Sequence, residues 1–199
     1  NLKAFAPEII EDLQLENKLV SEYNKLIASA KIMFEGEERN LSGLTPFVLS
    51  EDRDMRRSAS EAMFGFFVKN EHIIDRIYDD MVKVRTKMAK KLGFDNFVQL
   101  GYVRMLRTDY NAEMVSNFRN QVKEYIVPVA NKLYERQRER LGLDKLSYYD
   151  EKFEFLSGNA KPKGESAWIV ENGIKMYSEL SPETKEFFEF MISNDLLRS

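Results

Sequence analysis

The chain has 199 residues, with 30 basic and 33 acidic side chains and a formal net charge of −3. This balance gives no support to nucleic-acid binding, which depends on an excess of lysine and arginine. The sequence contains no cysteine, which excludes disulfides and thiolate metal ligands and fits a cytoplasmic protein. No apolar run approaches the roughly 18 residues of a membrane-spanning helix, so we expect no membrane partner.

The periodicity of apolar residues predicts an all-α fold with long amphipathic helices. The first helix begins near Pro7, which suits the first helical position, and runs to about Ile32. Alternating residues over 31–44, with a turn at Glu35-Gly36, then predict one small β-hairpin. The remaining helices are predicted over about 51–92, a short stretch after Asn96, 111–141, 165–180 and 182–197.

The strongest periodic signal lies at the end of the second long helix. Its apolar residues are Ile73, Ile77, Met81, Val84 and Met88. Their steps of three and four residues place them on one helical face. Gly93 then suits a left-handed C-cap, and Asp95 or Asn96 can cap the next helix. We expect Phe94 and Phe97, which follow these capping residues, to pack in the core.

The third long helix carries a second apolar stripe, and Pro128 lies in its middle. The stripe residues are Val115, Phe118, Val122, Tyr125, Val129 and Leu133. Proline removes one backbone donor, so we expect a kink there. Gly142 ends this helix, a loop follows over 146–163, and Ser181-Pro182-Glu183 predicts the start of the last helix.

No set of residues in the sequence assembles a catalytic or metal site. His72 is the single histidine, whereas a His-Glu-x-x-His zinc motif needs two on one helix face. The residue three positions before it is Lys69, so a Glu-x-x-His pair is missing as well. Adjacent acids such as Glu11-Asp12, and the basic run Lys83–Lys91, are interpreted as solvated helix faces.

The loop residues Tyr148, Tyr149 and Asp150 are the candidate substrate-binding residues. Two phenols and an acid on a loop could contact a peptide backbone. The alternative is that one tyrosine packs in the core while the other caps a turn.

Three runs resemble oligoendopeptidase F, a zinc metallopeptidase of the thimet oligopeptidase-like family. They are KMAKKLGFDNFVQLGYVRM, VPVANKLYERQRERLGLDKLSYYD and LSPETKEFFEFMISNDLL. The resemblance implies a two-lobed helical body around a deep channel, with short peptides as substrates and zinc as cofactor. It places the family's His-Glu-x-x-His motif after Ser199, so no residue here is assigned to the metal or to catalysis.

On this reading, 1–199 is one helical domain or segment that walls the channel, and it is inactive alone. Its partner is the catalytic part of the same polypeptide. The start at Asn1 and the end inside helical sequence agree with a piece of a longer chain. The alternative is a complete, non-enzymatic helical module that binds a partner helix or peptide. A module should bury its apolar stripes, whereas a piece of a larger body should expose some.

Overall fold

The computed structural model describes residues 4–107, 109–161 and 163–197, in two compact units, Asn1–Asn159 and Ala160–Ser199. The first unit contains α1 (Ile10–Ala28), β1 (Ile32–Phe34), β2 (Glu37–Arg39), α2 (Thr45–Val48), α3 (Arg53–Lys69), α4 (Glu71–Lys91), α5 (Phe97–Arg104), α6 (Ala112–Gln121) and α7 (Val127–Arg140). The second contains α8 (Ser166–Leu180) and α9 (Pro182–Ser193). The prediction of an all-α fold with one small hairpin is confirmed.

The first unit is built around the packing of α1 along α4. Leu19 of α1 is buried with Ile77 and Val84 of α4, and Ile73 and Met81 pack against them. The predicted stripe of α4 therefore faces the core, as its spacing requires. A 3₁₀ turn, Pro7–Ile9, precedes α1.

A second buried cluster forms where α4 ends and α5 begins. Ile9, Met88, Ala89 and Leu100 are its buried members. Gly93 adopts φ +79°, and the N–H of Phe94 donates to the Ala89 carbonyl at 2.9 Å. This Schellman end turns the chain so that Phe94 and Phe97 pack, half-buried, against the cluster. Phe94 and Phe97 thus contribute to the packing of α4 against α5.

The hairpin pairs β1 with β2 in antiparallel register, with Ile32 opposite Arg39. Glu35 and Gly36 both have positive φ, as a two-residue hairpin turn requires. A 3₁₀ turn, Ser42–Leu44, leads into α2, and α3 packs against both α2 and β1. The alternation of residues over 31–44, with the turn at Glu35-Gly36, thus predicted the hairpin correctly.

The predicted helix over 51–92 is wrong in one respect, because the structure divides it at Asn70. The backbone N–H of Asn70 donates to the carbonyls of Phe66 and Phe67, and its side-chain amide donates to Phe66 at 2.7 Å. Asparagine competes for backbone hydrogen bonds in this way and so favours helix ends. Helix ends also differ from expectation, since α1 stops at Ala28 and α9 stops at Ser193.

The third long helix is continuous from α6 to α7 through a π-helical segment, Val122–Ile126. The N–H of Val127 donates to the Val122 carbonyl, five residues back. Pro128 follows immediately and cannot donate, and its ring would crowd the carbonyl of Glu124 in a regular α-helix. The expected disturbance at Pro128 takes the form of this wider turn.

The second unit consists of α8 packed against α9. Tyr177 and Phe188 stack with their ring centroids 4.4 Å apart. Ser181 caps α9 and forms a capping box with Thr184, which confirms the predicted start. None of the described residues of this unit is buried. In neither unit does the described part of the chain contain a helix long and apolar enough to cross a membrane.

Candidate functional site

The segment that carries the three candidate residues is a tight loop after α7. Gly142 ends the helix with φ +63°, and the N–H of Leu143 donates to the Arg138 carbonyl. Two turns follow, closed by hydrogen bonds from Asp150 N–H to Ser147 and from Phe153 N–H to Asp150. The loop therefore has its own backbone hydrogen bonds before any side chain fixes it.

Asp150 lies at the centre of this loop and is 0% exposed. Its Oδ2 is 2.8 Å from Arg53 Nη2, and its Oδ1 is 3.0 Å from Arg56 Nη2. Oδ2 also accepts the N–H of Ser147 at 3.0 Å, and Oδ1 accepts Arg53 Nε at 3.2 Å. Both carboxylate oxygens are thus occupied by donors of this chain.

The pKa of Asp150 lies below its ordinary value because the carboxylate accepts these hydrogen bonds. Burial would raise the pKa, because it disfavours the charged form. Hydrogen bonds from Arg53, from Ser147 N–H and from Arg56 act in the opposite direction and outweigh burial. Asp150 is therefore held as a carboxylate.

Arg53 and Arg56 belong to the first turns of α3 and were not identified from the sequence. Cations are disfavoured at a helix N-terminus by the helix dipole. Asp52 and Asp54 in the same turn are acids that could compensate them locally, so the sequence around the two arginines does not point to Asp150. Arg56 is itself buried, donates to the carbonyls of Ser50 and Glu51, and lies 4.0 Å from the ring centroid of Phe153.

Gln137 of α7 fixes the loop from the other side. Its side chain is buried, and Nε2 lies 3.3, 3.1 and 2.8 Å from the carbonyl oxygens of Asp150, Glu151 and Phe153. One turn further on, Arg140 donates to the carbonyl and the carboxylate of Glu154. The loop is therefore anchored to both α3 and α7.

The two tyrosines differ in their surroundings. Tyr148 is 51% exposed, and its ring meets Phe64 and Tyr149 edge-on, at 5.6 and 5.2 Å between centroids. Tyr149 is half-buried, and the guanidinium of Arg53 lies 5.4 Å from its ring centroid. Of the three candidates, Tyr148 is the one that the chain leaves open to a ligand.

The interpretation of Glu11-Asp12 and Lys83–Lys91 as solvated helix faces is wrong in part, because two carboxylates on α1 are buried. Asp12 is 2% exposed and contacts Lys87 Nζ at 2.8 Å and Lys91 Nζ at 2.6 Å. Glu16 is 4% exposed and contacts Arg85 and Arg104 at 2.7 and 2.8 Å. The basic run on α4 therefore supplies the counter-charges that join α4 to α1.

Both of these carboxyl groups have a lowered pKa. For Asp12 the main causes are the hydrogen bonds from Lys87 and Lys91. For Glu16 burial raises the pKa, but hydrogen bonds from Arg104 and Arg85 outweigh it. Paired in this way, these acids stabilise the folded chain and are poor candidates for proton transfer.

The residues described by the structure do not fit a zinc site. His72 is exposed on α4. Among the described residues, no group of three or more histidine, aspartate or glutamate side chains is placed to bind a metal ion. Zinc needs three or four such ligands around one point.

Three solved structures are similar to this chain over 99% of its length. PZ peptidase A, solved with an inhibitor, is 65% identical with a TM-score of 0.95. An oligoendopeptidase F solved at 3.1 Å is 62% identical, with a TM-score of 0.94. An oligoendopeptidase F from Bacillus anthracis is 61% identical, with a TM-score of 0.92. The names of all three proteins identify them as peptidases.

Over 99% of its length the chain is similar to oligoendopeptidase F and PZ peptidase A, as the three runs in its sequence indicated. It spans 35–36% of the length of these solved relatives, so it corresponds to a segment of them. No family model matches the chain, and no curated protein matches it significantly.

Replacing Asp150 with asparagine is expected to destabilise the first unit by about 3–5 kcal/mol, because two arginines lose their buried counter-charge. Urea unfolding of the 199-residue chain measures this loss. The matched control is Glu154→Gln, whose carboxylate pairs with Arg140 but is 51% exposed. The control should lose less than about 1 kcal/mol. Equal losses in the two variants would contradict a buried ionic anchor.

The free energy of unfolding is expected to fall below about pH 5, because Asp12, Glu16 and Asp150 all have lowered pKa values in the folded chain. Such groups bind fewer protons when folded. Their contribution is therefore present above the ordinary values of 3.8 for aspartate and 4.5 for glutamate, and it is lost as pH falls through the folded values. The stability difference between the parent chain and Asp150→Asn should shrink between pH 6 and pH 3. A difference that stays constant over this range would refute the assignment.

Proposed function

We propose that this chain is the scaffold segment of a zinc-dependent oligopeptidase that hydrolyses short peptides. The observation that carries the proposal is 65% identity to PZ peptidase A over 99% of the chain, with a TM-score of 0.95. A TM-score of 0.95 means that the two backbones follow the same path over this length. Because the chain spans about a third of that protein, the activity belongs to the whole peptidase.

The role proposed for these residues is to form a rigid part of the substrate channel. Asp150 joins the loop to Arg53 and Arg56, and Gln137 joins the same loop to α7. A wall of this kind fixes the position of substrate contacts, and fixed contacts are what orient a peptide for hydrolysis. We assign zinc and its ligands to the remainder of the polypeptide, because the described residues do not fit a zinc site. A cytoplasmic location is part of the same proposal.

Within the wall, Tyr148 is the residue proposed to contact substrate. It is exposed, while Asp150 is fully buried and Tyr149 is half-buried under Arg53. Its ring is supported by Phe64 and Tyr149, so little side-chain freedom would be lost on binding a peptide. The other two candidates act by holding Tyr148 in place.

The alternative of a stand-alone helical module is not favoured. A complete module should bury its apolar stripes. The stripe of the third long helix is instead open, with Phe118 63% exposed and Tyr125 61% exposed.

A chimera of PZ peptidase A, with its aligned third replaced by this chain, is expected to hydrolyse short peptides. We expect kcat/KM within about tenfold of the parent, a difference of about 1.4 kcal/mol in transition-state stabilisation. A chelator should abolish this activity, and the isolated chain should show none. A folded but inactive chimera, or a chelator-sensitive activity of the isolated chain, would overturn the proposal.

In that chimera, Tyr148→Ala is expected to raise KM about threefold or more with kcat little changed, as loss of a contact made equally in ground and transition states would do. Tyr148→Phe separates the two parts of the side chain, because it keeps the ring and removes the hydroxyl. The control is Tyr78→Ala, which removes another exposed tyrosine, on α4. Unchanged KM in both alanine variants would exclude Tyr148 from the substrate site.

A further inference from the structure

The helix formed by α6, the π segment and α7 is long, carries an apolar stripe and is largely unpacked. Its segments contact one another, but among the described residues neither α6 nor α7 packs extensively against another helix. Its attachment is at its C-terminal end, through Gln137, Arg140 and Leu141. The stripe predicted for this helix exists, but the described part of the chain leaves it exposed. Its exposed members include Phe118, Tyr125, Val129 and Leu133.

The middle of this helix differs from an ordinary amphipathic helix. Residues 125–130 read Tyr-Ile-Val-Pro-Val-Ala, and none of them is charged. Six successive residues make more than one full turn of an α-helix, so this section is apolar all the way round. Tyr125, Ile126, Val127 and Val129 are 61, 59, 44 and 53% exposed. A helix that is apolar on every side is typical of the interior of a large protein.

Charged residues bracket this section and mark its limits. Lys123 and Glu124 precede it, and Lys132, Glu135 and Arg136 follow it. The π segment, Val122–Ile126, overlaps its first turn, so the irregular backbone falls within the apolar section. The sequence thus places an uncharged ring, about one and a half turns long, between two polar stretches of the same helix.

We infer that the section Tyr125–Ala130 is enclosed on several sides by the part of the peptidase polypeptide that lies outside these 199 residues. The inference rests on the proposed function, since it takes the rest of the peptidase as the occupant. The solved relatives are about three times as long as this chain, so they hold enough polypeptide to surround the helix. A second copy of the chain would cover one face of about 100°, as helix pairs do, and would leave the rest of the ring in water. A substrate peptide lying along the helix would also cover one side.

Cysteine accessibility tests this inference directly, because the chain has no cysteine of its own. Ile126→Cys and Val129→Cys report on the apolar section, and Lys132→Cys on the same helix is the matched control. All three should react readily with a maleimide in the isolated chain. In the full-length chimera with PZ peptidase A, stripped of other cysteines, the two apolar-section variants should react at least about tenfold more slowly, because local opening must precede reaction. Lys132→Cys should remain reactive.

Equal labelling rates in the chimera and in the isolated chain would overturn the inference. If such a chimera still hydrolyses peptides, the proposed function stands and the enclosure alone fails. If the chimera is folded and protected but inactive, the enclosure stands and the proposed function fails. Protection that appears in the isolated chain at high concentration, together with a dimeric mass, would assign the surface to a second copy instead.

Discussion

Among the described residues of the first unit, three carboxylates are removed from water, and each is matched by two cationic side chains from other elements. Asp12 joins α1 to α4, Glu16 joins α1 to both α4 and α5, and Asp150 joins the loop to α3. A buried charge without a partner is severely unfavourable, so each acid permits few arrangements of its neighbours. Apolar clusters supply the burial that stabilises these packings, while the ionic pairs determine which element meets which.

This constraint explains how far the sequence alone could predict the structure. Local patterns predicted the helices, the hairpin and the cap at Ser181, because those depend on residues close in the chain. The partners of Asp12 and Asp150 lie about 80 and 95 residues away, and no local pattern specifies such a pairing. The acids were therefore interpreted as solvated or as substrate contacts. The arginines at the start of α3 are no guide to the distant acid, because Asp52 and Asp54 supply negative charge in the same turn.

The division at Asn70 illustrates a different limit. Apolar periodicity continues from α3 into α4 with little change, so a single helix over 51–92 satisfied the pattern. The side-chain amide of Asn70 instead donates a hydrogen bond to the Phe66 carbonyl, and a new helix begins at Glu71. The hydrogen bond of one side chain helps to end α3 there. A prediction based on the spacing of apolar residues does not detect such a bond.

The long helix formed by α6, the π segment and α7 is connected to the loop that carries Tyr148, and this connection bears on how that loop is positioned. Gln137 lies seven residues beyond Ala130, about 10 Å along the helix axis, and it binds three carbonyls of the loop. Whatever encloses the apolar section fixes the axis of this helix, and the helix in turn fixes the loop. Asp150 then ties the same loop to α3, so the position of Tyr148 is determined from two directions. An exposed aromatic on a loop is ordinarily mobile, but here a buried carboxylate and a buried amide hold the loop that carries it.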